Sequence, residues 1–535
     1  MKSKNFIYLT SFFCGMTDMA IELSASRFLA PTFGTSSIIW TIIIGIIMIS
    51  MSIGNVIGGR LADKQDNLDK LYSFIWIAAV WIAVIPLIGK YIVIFVVFVL
   101  MMILPSNLLT IGSTICCLVI FSLPLTILGM ASPYLVKMGV NNLENSGKTT
   151  GEIYALSTIG SIIGTFIPTF LTIPIIGTSK TFLVFSLILN LICFYYFFII
   201  RTRYISNAVT SIIVIALVIF PLKDSYAFWK NNILYEGESL YNYLQVSEDN
   251  DSVVLSTNVA FGVQSIYNKN QDLTGMYYDY VLMAPLFIKN MNFLKPIDTL
   301  ILGFGTGTFA KESKRFFPNT KTDGVEIDQK IADLSKKYFG VKDDEAKIYI
   351  NDGRTFLYSS DAKKYDVIMV DAYRDITIPF QMSTKEFFAE VKKHLKPGGV
   401  IVMNINMRSS KNTEINDYLC ETIKSVMNKV YTCDMKDSYN TIVFASDDKN
   451  CRENYIKNTN EIDSANLLKN TSSYVSKNIN EVTKSNHVFT DEVAPVEILG
   501  EKVLDDIVSS EVLSFKQELK NSGKGFSGIL DMISK

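Results

Sequence analysis

The first 222 residues consist mainly of long apolar stretches, and this feature constrains the fold of the chain more than any other. A helix needs about 20 apolar residues to cross a membrane. The candidate spans are residues 6–30, 38–58, 72–89, 91–105, 109–137, 152–176, 179–200 and 205–222. The two spans that meet at Gly89 and Lys90 are short, so the sequence predicts a polytopic helical membrane domain with seven or eight spans. The apolar stretches continue without a cleavage-site pattern, which argues against a signal peptide.

Two kinds of residue stand out within this apolar half. Glycine pairs four residues apart, a spacing that lets helices pack closely in lipid, occur at Gly54 and Gly58 and at Gly160 and Gly164. Asp18 and Glu22 lie one helical turn apart in the first span, where ionisable groups are costly and often functional. One interpretation is an internal ion pair of Glu22 with Arg27 or Arg60, and the other is a role in transport or ligand binding.

The composition changes near Pro221, after which the chain is rich in Lys, Asp and Asn like a soluble protein. The net charge of −1 gives no indication of a nucleic-acid partner. Seven scattered cysteines and two histidines form no metal-ligand pattern, so we expect neither a metal site nor a disulfide framework. The predicted domains are a transmembrane helical domain at residues 1–222, a small β-rich part at 223–290, a Rossmann-like adenosyl-binding catalytic domain at 291–447 and a polar, partly helical extension at 448–535.

The soluble half is organised around the sequence DTLILGFGTGT at residues 298–308. Its apolar run predicts a buried strand. Gly303, Gly305 and Gly307 follow, ahead of an amphipathic helix at residues 309–317. Glycines at a strand-to-helix turn let the backbone approach a ligand closely, and the N–H groups at the start of the helix are free to bind it.

Acidic residues end the next two predicted strands. TDGVEID brings Glu326 to a position where the two hydroxyls of a ribose can be bound. KIYI is followed by NDGR, in which Asp352 can accept a hydrogen bond from the exocyclic amine of adenine and precedes Gly353. NAD sites share the glycine turn and the ribose acid only. The three elements in this order therefore predict a nucleoside of the S-adenosylmethionine type.

A fourth strand, in KYDVIMVDAYRD, ends on Asp371, with Tyr373 and Asp375 close behind. Reactive groups in an open parallel sheet lie beyond the carboxyl ends of the strands. We therefore expect Asp371 to face the reacting end of the bound nucleoside.

The segment ahead of the glycine turn alternates apolar and polar residues between positions 235 and 270. This pattern predicts short antiparallel strands. A helix is predicted next at residues 277–289, with Tyr278 and Asp279 at its start. Asp279 has a second interpretation as a first-turn acid, which the helix dipole favours.

In order and spacing, these motifs resemble those of the spermidine synthase family, the polyamine aminopropyltransferases. The resemblance covers residues 235–447 through the lead-in strands, LGFGTG, GVEID, NDGR and VDAY. The apolar half is similar to a group in which such a synthase is fused to transmembrane helices, as IELSASR, GGRLADK, LPLTILGMASPYLVK, GEIYALSTIGSIIGT and TDEVAPVE indicate. The resemblance implies an α/β Rossmann-like methyltransferase or spermidine-synthase fold with a small β-rich lead-in.

The resemblance also implies roles for individual residues. Glu326 would hold the ribose and Asp352 the adenine of decarboxylated S-adenosylmethionine, the co-substrate. Asp371 would orient the attacking amine and take its proton, directly or through water. The expected cofactor-binding residues are Gln264, Gly303, Gly305, Gly307, Glu326, Asp352 and Gly353, and the expected substrate-binding residues are Tyr278, Asp279, Tyr373 and Asp375.

Two positions depart from the family pattern. Thr306 replaces an Asp that binds the amine of the aminopropyl donor, and Arg374 stands where a second acid is expected. Both changes favour S-adenosylmethionine itself as the donor. Two alternatives to aminopropyl transfer therefore stay open: a methyltransferase on the same scaffold, and a membrane carrier with an adenosyl-sensing domain, which Asp18 and Glu22 motivate.

The expected partners follow from the same features. Acidic residues suit a dicationic polyamine as substrate. The apolar half predicts a multi-pass protein of the cell membrane in contact with lipid. A cytosolic nucleotide co-substrate places the catalytic domain in the cytoplasm. The resemblance implies a homo-oligomer, either a dimer or a tetramer.

Overall fold

The structure is a computed structural model. The N-terminal part of the chain forms a bundle of helices. The structure describes residues 4–64, 67–104, 106–140, 145–220, 225–226, 232–258, 262–359, 363–373, 378–409, 411–436 and 438–522. The helices of the first part are α1 (Lys4–Phe33), α2 (Ser37–Lys64), α3 (Leu68–Ile103), α4 (Leu108–Gly129), α5 (Ala131–Gly139), α6 (Ser146–Ile167), α7 (Ile173–Ile200) and α8 (Tyr204–Ile219), with a π-helical turn at Pro168–Thr172 between α6 and α7.

Five helical runs within the described residues are long and apolar enough to cross a membrane. They are Lys4–Phe33, Ser37–Lys64, Leu68–Ile103, Leu108–Gly139 and Ser146–Ile200. Helix α3 continues through Gly89 and Lys90 to Ile103, so the two short candidates that meet there belong to one helix. Gly177 has a φ of 85° and interrupts α7 instead. The last run is therefore two helical segments, as the candidates 152–176 and 179–200 predict.

The bundle is held together where helices approach each other at glycines. Gly160 and Gly164 of α6 lie against the backbone of α1, and a Cβ atom at either position would overlap it. Gly54 and Gly58 of α2 lie in the same way against the end of α4 and Met130. Both predicted glycine pairs are thus confirmed as sites of close helix packing.

The soluble part opens with a four-stranded antiparallel sheet in the order β1-β2-β3-β4. Its strands are β1 (Ile233–Glu238), β2 (Tyr243–Glu248), β3 (Ser252–Thr257) and β4 (Ser265–Asn268). A short helix, α9 (Tyr277–Val281), and a 3-10 turn (Ala284–Phe287) follow. The predicted helix at residues 277–289 is therefore broken, because Pro285 cannot donate a hydrogen bond inside an α-helix.

An eight-stranded sheet in the order β12-β10-β11-β9-β8-β5-β6-β7 forms the centre of the soluble part. The five strands from β9 to β7 are parallel, and β10, β11 and β12 are antiparallel. Its strands are β5 (Ile297–Leu302), β6 (Thr320–Glu326), β7 (Lys347–Ile350), β8 (Tyr365–Val370), β9 (Leu395–Ile405), β10 (Lys429–Asp434), β11 (Thr441–Ser446) and β12 (Asn480–Glu481). The predicted Rossmann-like fold with a β-rich lead-in is confirmed.

Helices cover both faces of this sheet. They are α10 (Thr308–Phe316), α11 (Gln329–Tyr338), α12 (Gly353–Ser359), α13 (Lys385–Lys393), α14 (Glu414–Lys424), α15 (Cys451–Asn460), α16 (Leu468–Asn478) and α17 (Val496–Ser522). Alternate residues of the central strands enter two separate cores. Ile301 and Met369 pack on one side, and Leu302 and Val370 on the other. This burial on both faces explains why β5 and β8 are continuous apolar runs in the sequence.

The described residues include several contacts between the two parts of the molecule. Arg27, near the end of α1, donates to the carbonyl oxygens of Leu240 and Tyr241. Glu238 accepts hydrogen bonds from the backbone and hydroxyl of Thr178, directly after the break in α7. Helix α17 packs against α3 and α4 through Val508 and Val512, among other residues. The soluble part is thus attached to the bundle through both the lead-in sheet and the C-terminal helix.

Candidate active site at the carboxyl ends of the parallel strands

A cavity of about 460 Å³ lies at the carboxyl ends of β5, β6, β7 and β8. This volume falls within the roughly 300–1,000 Å³ typical of small-molecule sites. The predicted residues that line it are Gln264, Tyr278, Gly303, Gly305, Glu326, Asp352, Gly353, Asp371 and Tyr373. Side chains from four strand ends and from the lead-in sheet are therefore brought together, as the topology of an open parallel sheet requires.

Gly303 allows the end of β8 to approach the glycine turn. Its φ is 90°, and a Cβ atom would lie 2.5 Å from the carbonyl oxygen of Asp371 and 2.7 Å from the amide nitrogen of Ala372. The Asp371 amide in turn donates to the Leu302 carbonyl at 2.9 Å. A glycine is required here because any side chain would separate the turn from the residue that follows β8.

Glu326 ends β6, and its carboxylate fixes the glycine turn. Oε2 accepts a hydrogen bond from the Gly305 amide at 2.9 Å, and Oε1 accepts one from the Asp328 amide at 3.0 Å. Burial raises the pKa of Glu326 to about 7, although the two backbone N–H groups act in the opposite direction. Each carboxylate oxygen has a second lone pair, so the side chain can still accept hydrogen bonds from ribose hydroxyls.

Asp352 follows β7 and starts α12. Its Oδ1 accepts a hydrogen bond from the Thr355 amide at 2.8 Å, which holds the carboxylate in place. Gly353 lines the cavity next to it, with Met382 packed 3.2 Å from where a Cβ atom would be. Glu326 and Asp352 thus stand at the ends of neighbouring strands, one behind the other along the cavity.

Asp371 follows β8, on the opposite side of the glycine turn from these two acids. The Tyr277 hydroxyl donates to its Oδ2 at 2.6 Å, whereas its Oδ1 has no hydrogen-bond partner among the described residues. The side chain is only 8% exposed. Burial raises the pKa of Asp371 to about 7, and the hydrogen bond from Tyr277 lowers it. A buried carboxylate oxygen without a partner is costly, so this atom is suited to an N–H group of a ligand.

Aromatic residues form the wall beside Asp371. The rings of Tyr277 and Tyr278 lie with their centroids 4.0 Å apart, and the Tyr278 hydroxyl donates to the Gln264 carbonyl at 3.1 Å. Tyr373 lines the cavity as well, and its hydroxyl donates to the Asn404 carbonyl. These hydrogen bonds hold the polar ends of the rings, so the apolar ring faces remain to enclose a ligand.

Two of the predicted site residues, Asp279 and Gly307, are not among the described residues that line the cavity. The Asp279 carboxylate accepts hydrogen bonds from Thr274 and Gly275 and stabilises that turn, so its place among the substrate-binding residues is not supported by the geometry. Gly307 is the N-cap of α10, behind the turn. Asp375 lies outside the described residues, as does Arg374.

Sequence reasoning did not assign a site role to Arg27, Tyr277, Leu240 to Asn242 or Glu497. Arg27 comes from α1 of the bundle and Glu497 from the first turn of α17, yet both line the cavity. Arg27 and Glu497 are far from the glycine turn in the sequence, and no local pattern connects these segments, so their place in the cavity could not be predicted. Tyr277 could have been suspected from its position beside Tyr278.

The chain is similar to known aminopropyltransferases. Residues 276–452 match the family model described as the spermine/spermidine synthase domain. A probable polyamine aminopropyl transferase of Bifidobacterium longum is 43% identical over 354 residues, which cover 63% of this chain and 77% of the relative. A polyamine aminopropyltransferase of Vibrio vulnificus is 27% identical over 231 residues, which cover 42% of this chain and 75% of that relative. The first alignment is longer than the matched domain, so it includes sequence outside it.

One similar solved structure is a probable spermidine synthase from Corynebacterium glutamicum. It is 20% identical, with a TM-score of 0.38, and the match covers 49% of this chain and 96% of that chain. The family assignment rests on the sequence relatives, above all on the one from Bifidobacterium longum.

Proposed function

Because this chain belongs to the spermine/spermidine synthase family, we propose that it transfers an aminopropyl group from decarboxylated S-adenosylmethionine to a diamine such as putrescine. Asp371 is the observation that supports this most directly. Its buried carboxylate has an unpaired oxygen in the same cavity as Glu326 and Asp352. An amine that is to react must be held and deprotonated close to the nucleoside, and a carboxylate can do both.

The reaction follows from these positions. Glu326 accepts hydrogen bonds from the ribose and Asp352 accepts one from the adenine amine, which places the sulfonium towards Asp371. The amine nitrogen attacks the carbon next to sulfur, the C–N bond forms, and the C–S bond breaks with its electron pair going to sulfur. The products are a neutral thioether nucleoside and a lengthened polyamine. The proton that the amine loses passes to Asp371, directly or through water.

We propose that Tyr277 sets the protonation of Asp371. Its hydroxyl donates to Oδ2 at 2.6 Å and thereby favours the ionised carboxylate against the effect of burial. A pKa of about 7 lets Asp371 be ionised at neutral pH and still be basic enough to accept a proton. Tyr278, Gln264 and Tyr373 enclose the site and exclude water from it.

The apolar helices support a position in a membrane. Several are long enough to cross about 30 Å of hydrocarbon, and many of their large apolar side chains are exposed, including Ile49, Phe95 and Ile175. We propose that residues 1–222 form the transmembrane domain and that the soluble part lies on the cytoplasmic side, where the nucleoside co-substrate is found.

The experiment is an assay of the full chain in detergent with putrescine and either S-adenosylmethionine or its decarboxylated form. We expect the decarboxylated donor alone to give spermidine and methylthioadenosine, both identified by mass spectrometry. Transfer of a methyl group from S-adenosylmethionine would overturn the proposal. It would support the methyltransferase alternative, which Thr306 and Arg374 favour. Binding of the donors without any transfer would favour the adenosyl-sensing carrier.

A further inference from the structure

The cavity contains a carboxylate that the reaction described above does not use. Four carboxylates line it among the described residues, and they are Glu326, Asp352, Asp371 and Glu497. Backbone N–H groups hold Glu326 and Asp352 at the ends of β6 and β7, and Asp371 is placed at the end of β8. Glu497 belongs to none of these strands, since it is the second residue of α17.

The start of α17 is fixed firmly against the catalytic part of the molecule. Asp491, a few residues earlier, forms an ion pair with Arg354 at 2.6 Å and accepts a hydrogen bond from the Thr384 hydroxyl at 2.7 Å. Val496 is 1% exposed and packs in the same core as Met382. Glu497 is therefore positioned at the edge of the cavity by the contacts of Asp491 and Val496, which precede it in the chain.

Helix α17 passes along the edge of the sheet at which the cavity opens. Ahead of Glu497, Asp491 contacts Arg354 of α12, the helix that follows Asp352. Further along the helix, Asp506 accepts hydrogen bonds from Ser409 and Asn412, which follow β9. Strand β9 is the neighbour of β8, which carries Asp371, whereas Glu326 and Asp352 lie beyond β5. The chain thus runs from a contact beside Asp352 to a contact beyond β9, and Glu497 lies between these two contacts in the sequence.

The Glu497 carboxylate is available to a ligand. Among the described residues, no hydrogen bond or ion pair engages it, and its side chain is half-buried. Arg27 also lines the cavity, and it donates to the carbonyl oxygens of Leu240 and Tyr241. An acid at the first turn of a helix is also favoured by the dipole, but this alone does not explain why it lines the cavity.

We propose that Glu497 is a substrate-binding residue that holds the second ammonium group of the acceptor and so selects diamines over monoamines. The inference rests on the proposed aminopropyl transfer. A diamine carries two positive charges, and only one nitrogen can lie at Asp371. The other nitrogen needs an anionic partner in the same cavity, because an unpaired charge in a partly buried site is costly. Glu497 supplies it from the C-terminal extension.

The test compares the wild-type full chain with Glu497→Gln, using putrescine and a monoamine of the same chain length as acceptors. The loss of a hydrogen bond to a charged group corresponds to roughly a ten- to hundred-fold effect. We expect the KM for putrescine to rise by about that factor, with the KM for the donor unchanged. The KM for the monoamine should hardly change, so the preference for the diamine should be lost. The matched control is Glu492→Gln, an exposed acid of the same segment that does not line the cavity.

The possible outcomes separate this inference from the proposed function. An unchanged preference for putrescine in Glu497→Gln would overturn the role of Glu497 and leave the aminopropyl transfer intact. Equal losses with both acceptors, or a raised donor KM, would show a structural effect and also overturn it. Failure of the wild type to transfer an aminopropyl group to either amine would overturn the proposed function, and the role of Glu497 with it.

Discussion

The two ends of the cavity hold their carboxylates in opposite ways. At the nucleoside end, both oxygens of Glu326 accept backbone N–H groups and Asp352 accepts the Thr355 amide. At the reacting end, Asp371 has one oxygen bound to Tyr277 and one oxygen without a partner among the described residues. A group that only binds can be satisfied in advance, whereas a group that must accept a proton needs an unoccupied lone pair. In the proposed reaction, this difference separates binding from chemistry within one pocket.

The largest effect should come from the reacting end. Asp371→Asn removes the proton acceptor, and we expect kcat to fall by roughly 10²- to 10⁴-fold, as for other general bases. Affinity for the donor, measured by calorimetry on the same preparation, should stay within a few-fold of wild type because the nucleoside acids are untouched. If Asp371→Asn lowered the affinity for the donor as much as it lowered kcat, the two ends of the cavity would not act independently.

A change at the nucleoside end should act on binding. Glu326→Gln leaves one backbone N–H, of Gly305 or Asp328, facing an amide NH₂ group and weakens the contact with the ribose. We expect the KM for the donor to rise roughly 10- to 100-fold, with a much smaller change in kcat. Steady-state kinetics with the donor varied would show this, and a large fall in kcat at saturating donor would contradict the assignment.

The pH dependence tests the contact between Tyr277 and Asp371. Asp371 has a pKa raised to about 7, so kcat/KM for the acceptor should fall as the pH drops through this value and the carboxylate becomes protonated. The Tyr277 hydroxyl lowers the pKa of Asp371, so Tyr277→Phe should raise it and move the acid limb of the profile to higher pH.

Tyr278→Phe is the matched control for this profile. The Tyr278 hydroxyl donates to the Gln264 carbonyl rather than to Asp371, so its removal should leave the acid limb in place. If the acid limb of the pH profile moved equally in Tyr277→Phe and Tyr278→Phe, the shift would reflect general damage to the pocket and not the contact with Asp371.

The smallest effect should come from the bundle. Arg27 holds the carbonyl oxygens of Leu240 and Tyr241, which line the cavity. We expect Arg27→Gln to raise the KM for either the donor or the acceptor by a few-fold and to leave kcat unchanged. A rise of this size is roughly what the loss of one or two hydrogen bonds produces. Arg60→Gln, an exposed arginine of α2 away from the cavity, is the control. A fall in kcat for Arg27→Gln would extend the influence of the bundle to the reacting end.

Much of the fold could be predicted because its signals are local. The apolar runs of β5 and β8, the glycine turn between β5 and α10 and the acids at the strand ends each lie within a few residues. The break in the helix predicted at residues 277–289 was missed, and the sequence left open whether the apolar stretch continues through Gly89 and Lys90, as α3 does. Pro285 accounts for the break, and a periodic pattern is in general a weak guide to where a helix ends.

Within the site, the residues on the parallel strands could be predicted, whereas those brought in from elsewhere could not. Glu326, Asp352 and Asp371 line the cavity because strands of one parallel sheet end at the same edge. Asp279 is an acid of the kind expected in a polyamine site, but its carboxylate accepts hydrogen bonds from the backbone of a turn. No spacing rule could indicate which of these situations applied.

The sequence by itself determined the division into an apolar helical half and a nucleoside-binding half, the order of the strands along the chain and the acids that end them. These properties depend on periodicity, on glycine conformation and on the length of apolar runs, all of which are local. Only the tertiary structure decided that Arg27 and Glu497 reach the same cavity, and that Tyr277 rather than Tyr278 donates to Asp371. Those contacts join segments far apart in the chain, and they depend on how the bundle and α17 pack against the sheet.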